Sequence, residues 1–232
     1  MKHIIFLLLI GISCAFLAAP QTIERLSATV LTRQVQKGKL VTVRGELFYQ
    51  RNGNMVTHFT FPQEMVILAN KLGETRIYDP RRNAVMRYQN GAFSTSTTQL
   101  SYFLTGATAD MGLIQIGFVQ DRTYNTGKLL VTEWRQKVAD KKAPVQRVKV
   151  VFDKANPIYM HYADTGGKII RKVFYYNYQP IDGRPFPTST TEIIYEGADS
   201  TVAKTIYGGI KLNSDATSPY FQYTIPANAR VE

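Results

Sequence analysis

The side chains able to serve as nucleophile, general base or metal ligand are few and far apart in this sequence. Of three histidines, His3 lies in an apolar N-terminal stretch, and His58 and His161 stand alone in segments of alternating polarity. Glu192 and Glu196 are four apart, which on a strand puts both on one face and imitates a paired-carboxylate site; a solvated face accounts for them as well. Asp79, Asp164 and Asp182 each sit in turn-forming sequence, where a short carboxylate bonds local backbone. There is no Gly-rich phosphate loop, no His-Glu-x-x-His and no Gly-x-Ser-x-Gly elbow. This inventory predicts a protein that is not an enzyme, with no catalytic residue, no metal site and no cofactor.

The one thiol belongs to a separate problem. Cys14 is the only cysteine, and it lies inside a run from Ile4 to Ala19 that is almost unbroken apolar sequence behind Lys2. Sixteen residues fall short of the roughly 20 that a membrane-crossing helix needs, and small residues crowd its far end. The expectation is a cleaved secretory leader over residues 1–19, a single domain over 20–232 and a periplasmic location. Lipidation at Cys14, giving an outer-membrane lipoprotein, is the alternative. The mature chain then has no thiol and no disulfide, and must rely on its core.

Charge does not single out a partner. The formal net charge is +11, falling to +10 once Lys2 leaves with the leader. Arg81, Arg82, Lys141, Lys142, Arg171 and Lys172 are spread over many segments, with no arginine-rich helix and no stacked-aromatic RNA motif. Nucleic acid is therefore not expected as a partner.

What must position any site is β-structure. Residues 40–50 alternate Val41, Val43, Gly45, Leu47 and Tyr49 against Thr42, Arg44, Glu46 and Phe48. Asn52-Gly53-Asn54 is a tight-hairpin signal, because Asn and Gly tolerate positive φ. Further strands are expected at 26–36, 55–61 and 65–70, and a hairpin over 75–91 turns at Asp79-Pro80-Arg81-Arg82-Asn83. Later strands are expected at 129–136, 145–152, 157–162, 168–178, 188–195, 201–211 and 220–225. Turns recurring about every ten residues argue for a large antiparallel sheet, strongly curved or nearly closed. One segment differs. Ser96 and Gln99 read as a capping box, and Leu100, Phe103, Leu104, Ala107 and Met111 follow at helical spacing, which predicts a short amphipathic helix.

Four stretches carry a resemblance to a known family. They are Phe59-Thr60-Phe61-Pro62, the hairpin Ile77-Tyr78-Asp79-Pro80-Arg81-Arg82-Asn83-Ala84-Val85, the turn Asp164-Thr165-Gly166-Gly167, and the run from Phe221 through Ile225-Pro226 to Ala229. Together they resemble, in order along most of the chain, the LolA and LolB periplasmic lipoprotein-localisation carriers. The chain departs from that pattern after Pro62, where Gln63-Glu64-Met65 stands in place of an early arginine, and at its start, where a strand replaces a helix.

The resemblance implies a mainly β fold with a few helices: an incomplete, strongly curved antiparallel β-barrel with a helical lid. It implies a carrier that shelters acyl chains of lipoproteins or other lipids in an apolar concave cavity. Partners would be inner- and outer-membrane transport proteins, and the carrier itself a monomer. The candidate lining is Leu47, Tyr49, Phe59, Phe61, Met65 and Ile67, with Leu100, Phe103 and Leu104 as lid, and Val150, Phe152, Phe174 and Tyr176 from the second half. The competing expectation is an exported interaction or envelope-sensor module with the same fold and a solid core.

Overall fold

The computed structural model describes residues 22–90, 94–138 and 143–232. The expected leader, including Cys14, lies outside them. Among the described residues, fourteen strands form one sheet. They are β1 (Arg25–Gln36), β2 (Lys39–Gln50), β3 (Met55–Phe61), β4 (Met65–Ala69), β5 (Glu74–Asp79), β6 (Ala84–Gln89), β7 (Phe118–Thr126), β8 (Leu129–Gln136), β9 (Arg147–Asp153), β10 (Asn156–Ala163), β11 (Ile169–Ile181), β12 (Arg184–Glu196), β13 (Asp199–Leu212) and the two-residue β14 (Arg230–Val231).

Their order is β14-β6-β5-β4-β3-β2-β1-β13-β12-β11-β10-β9-β8-β7. Two meanders are thus joined where the first strand pairs antiparallel with the last long one, from Leu26↔Leu212 to Gln36↔Thr201. The β14–β6 pairing is parallel. The sheet is open and curved.

Its curvature can be read from the core. Leu47 of β2 and Trp134 of β8 belong to one buried cluster, yet they lie seven places apart in the strand order. At about 4.8 Å per strand a flat sheet would hold them roughly 34 Å apart. The sheet must therefore curl until both rims face a common interior. Leu26, Ala28, Val148, Val150, Phe152, Met160, Val173 and Tyr175 point into that interior by strict alternation.

A second, smaller core lies on the opposite face of the first meander. Phe48, Val56, Val66, Tyr78 and Val85 point outward there and are covered by Ala216 and Phe221, with Tyr220, Tyr223 and Ile225 packed alongside. Residues 213–229 form this strap. The sequence suggests a strand over 220–225; the chain instead makes a 3₁₀ turn at Pro219–Gln222, with the Ser218 hydroxyl accepting from the Tyr220 N–H. Its aromatics stack on the sheet's outer face instead of pairing with a strand. Tyr220 lies parallel to Phe48 with centroids 5.3 Å apart and to His58 at 4.3 Å. His58 Nε2 lies 3.1 Å from both Glu64 Oε1 and the Tyr220 hydroxyl, while its Nδ1 is buried with no hydrogen-bond partner among the described residues.

The hairpin between β5 and β6 anchors the strap. Asp79 Oδ1 accepts from the N–H groups of Arg81 and Arg82, which closes the turn. Asn83 adopts φ 45°, a conformation Asn tolerates. Its carbonyl accepts from the Arg230 N–H at 2.8 Å, which starts β14 against the edge of β6.

Candidate functional site

The helix that enters the curved sheet is α1 (Gln99–Thr105). It is shorter than the apolar spacing suggests. Thr98, rather than Ser96, is the N-cap, its Oγ1 accepting from the Ser101 N–H at 3.3 Å. Gly106 ends the helix in the left-handed region at φ 75°, so Ala107 and Met111 fall beyond it. Arg184 of β12 donates from Nη1 to the Leu104 carbonyl at 2.8 Å, which satisfies one open carbonyl at the helix end. Met111 returns in a tight turn, and Gly112 follows at φ 73°. A Cβ on Gly112 would stand 1.9 Å from the Tyr102 hydroxyl oxygen, so only glycine lets this turn close over the ring.

The two sides of α1 are used differently. Phe103 plugs the interior edge-on to Tyr175 at 5.2 Å and Phe186 at 6.2 Å, while Leu104 is 3% exposed in the same cluster. On the side of Leu100 the packing stops. A cavity of about 490 Å³ opens between α1, the turn around Met111 and the inner faces of both meanders. Its apolar walls are Val30, Leu47, Met55, Phe59, Leu100, Met111, Leu113 and Ile116, with the rings of Tyr102, Tyr162 and Tyr207. Thr32, Thr57, Thr98, Gln99 and Thr205 add neutral polar groups, and Arg171 is the one charged lining residue among the described residues. Its size falls within the roughly 300–1,000 Å³ of small-molecule sites, and the composition matches too: mainly apolar walls with a few polar groups.

Arg171 reaches the cavity from β11, where Val173 and Tyr175 mark the inward side. Its Nε lies against Glu192 Oε1 of β12, and its guanidinium sits 5.0 Å from the centroid of the Tyr162 ring. Glu192 and Glu196 do share a face, but the four-residue spacing sets them about 13 Å apart along the strand, too far to act as a carboxylate pair. Beneath this group Tyr175 is 2% exposed, and its hydroxyl has no hydrogen-bond partner among the described residues. Burial raises its pKa well above the ordinary tyrosine value, so it stays protonated.

The residues expected to line a cavity are distributed as follows. Leu47, Phe59 and Leu100 line it directly. Met65 and Ile67 pair with Phe59 and Thr57 on β3 and continue the same half-buried wall past its rim. Tyr49, Phe103, Leu104, Val150 and Phe152 are buried in the main core beside it. Phe61 is 46% exposed; a register shift at Arg44/Gly45 brings it opposite Arg44, whose guanidinium lies 5.3 Å from the ring.

Phe174 and Tyr176 face outward, because the inward residues of that strand are Val173 and Tyr175. Phe174 packs against Tyr159 at 5.0 Å, and Tyr176 shares a hydrogen bond with Thr191 at 2.9 Å. The lining from β1 and β13 (Val30, Thr32, Thr205 and Tyr207) was not anticipated, although period-two alternation marks it. Nor was Arg171, whose charge argues for an outward position.

No family model matches the sequence, and no curated protein matches it. Solved structures do. The fold is similar to a LolA superfamily protein from Nitrosomonas europaea, with a TM-score of 0.57 at 15% identity over 87% of this chain and 90% of that one. It is similar to a DUF1329 family protein from Desulfovibrio piger, with a TM-score of 0.57 at 13% identity over 86% and 90%. A third likeness is to a domain assigned to outer membrane lipoprotein sorting from Vibrio parahaemolyticus, with a TM-score of 0.57 at 15% identity over 85% and 89%. The chain therefore has the LolA-like fold, at low sequence identity to these structures.

Proposed function

We propose that the protein is an exported lipid carrier that shelters an acyl chain of a lipoprotein or other lipid in the cavity beneath Leu100. The observation that carries this reading is the unfilled apolar volume of about 490 Å³ between α1 and the curved sheet. Each methylene moved from water to an apolar wall contributes about 0.8 kcal/mol, so a long chain gains of the order of 10 kcal/mol there. Met55 and Met111 supply deformable wall, which suits tails of differing length. The fold shared with a lipoprotein-sorting domain agrees with this role.

The reading includes cleavage of residues 1–19, action in the periplasm as a single domain and a monomer, and exchange with membrane transport proteins. It involves no enzymatic step. No helix among the described residues is long and apolar enough to cross a membrane. An interaction module with a solid interior would have no need of the space under Leu100.

The test is displacement of a fluorescent fatty acid from protein stripped of lipid by refolding. The proposal expects saturable, one-to-one binding that is abolished by Leu100→Trp. Binding unaffected by that substitution, or none at all, overturns it.

A further inference from the structure

Cavity walls that only needed to be greasy would not require a cation, yet Arg171 stands among them. The geometry points to a head-group site: Arg171 holds an anionic oxygen group, a carboxylate or phosphate, on the guest whose tail lies along Leu47, Phe59 and Leu100. This inference rests on the carrier reading and names the chemistry of the guest's polar end.

Four observations converge on it. Among the described residues Arg171 is the single charged residue of the lining, and its side chain remains 39% exposed although it points inward. Glu192 engages it at Nε, whereas a guanidinium has five N–H donors in a planar fork, so further donors are free to serve a second acceptor. The face of Tyr162 at 5.0 Å holds the guanidinium in place without consuming an N–H. Finally, the Tyr175 hydroxyl, four residues along β11 on the same inward face, is buried in the core beside the cavity with no partner among the described residues. A buried polar group of this kind ordinarily has a partner, and a ligand oxygen or the water that accompanies it would supply one.

Glu192 has a defined part in this arrangement. Without a guest it balances the arginine; with an anionic guest it competes for the same cation. Removing its charge must therefore tighten the binding of anions and leave neutral amphiphiles unaffected, an outcome that a purely structural ion pair would not produce.

The experiment compares palmitate, hexadecanol and acetate on the lipid-free full chain by titration calorimetry. The expected result is at least tenfold tighter binding of palmitate than of hexadecanol, with acetate not binding measurably. Arg171→Met should equalise the two long-chain ligands by weakening palmitate alone, and Glu192→Gln should strengthen palmitate several-fold. Equal affinity for palmitate and hexadecanol in the unmodified protein overturns the head-group site while leaving the carrier reading intact. Binding of acetate as tight as palmitate overturns it also, since the site would then serve small anions. Failure of both long-chain ligands to bind overturns the carrier reading itself, and this inference with it.

Discussion

Asn83 donates its side-chain amide to the Asn228 carbonyl at 3.1 Å, across 145 residues of chain. That bond fastens the strap over the outer core, and the same residue accepts from Tyr78 Oη at 3.1 Å. The hairpin from Tyr78 to Asn83 is therefore a clasp for the end of the chain. Asn83→Ala removes both hydrogen bonds and leaves at φ 45° a residue without the polar side chain that lets Asn tolerate that conformation, so it should cost about 2 kcal/mol. Asn83→Gly keeps the backbone relaxed and should cost about 1 kcal/mol. Urea unfolding of the three proteins separates the two contributions.

Phe221 should prove the strap's largest single contributor. It is 8% exposed and meets Phe48 edge-on at 5.5 Å. Phe221→Ala should destabilise by about 3–4 kcal/mol, and dye binding to exposed apolar surface should rise as Val56 and Val66 lose their cover.

Gly112→Ala should be among the most damaging small substitutions in the protein. The added carbon meets Tyr102 at 1.9–2.5 Å, at a φ of 73° that disfavours any side chain. A loss of about 3 kcal/mol is expected. The double variant Gly112→Ala/Tyr102→Ala should recover the steric part of that loss only partially, since Tyr102 is itself buried.

Acid sensitivity should trace in part to Glu133. Lys149 donates to its carboxylate at 2.9 Å, which lowers the pKa of Glu133 and raises that of Lys149. A depressed carboxyl contributes stability above its unfolded value, near 4.5, and that contribution fades as the pH falls through the folded value. With both side chains about 30% exposed, the effect is of the order of 1 kcal/mol. Glu133→Gln should flatten the stability profile below pH 5 by that amount, as followed by thermal unfolding across pH.

How far the sequence anticipates these features depends on local pattern. The first meander is legible because β2 alternates cleanly and Asn52-Gly53 fixes its turn. Strand β7 is not, since Gln120, Asp121, Arg122 and Thr123 present polar atoms on both faces. It forms at the sheet's edge, where its residues from Gln120 onward are exposed and only pairing with β8 holds it. The helix is legible in kind but not in length, because Gly106 takes the left-handed cap and outweighs the apolar spacing beyond it. On the N-terminal wall the lining follows from alternation. On β11 the choice between Phe174 and Tyr175 depends on register, which bulk and aromaticity do not reveal. Arg171 was hidden for a physical reason: an arginine on an inward face is costly unless paired, and its partner Glu192 lies on another strand.

The most direct measurement of the central claim is native mass spectrometry of the protein, purified gently from cells with intact membranes. The account predicts one lipid-sized adduct per chain, lost on Leu100→Trp while the melting temperature stays within a few degrees. Chains that fly bare from every gentle preparation, and whose cavity excludes added long-chain amphiphiles, would contradict it.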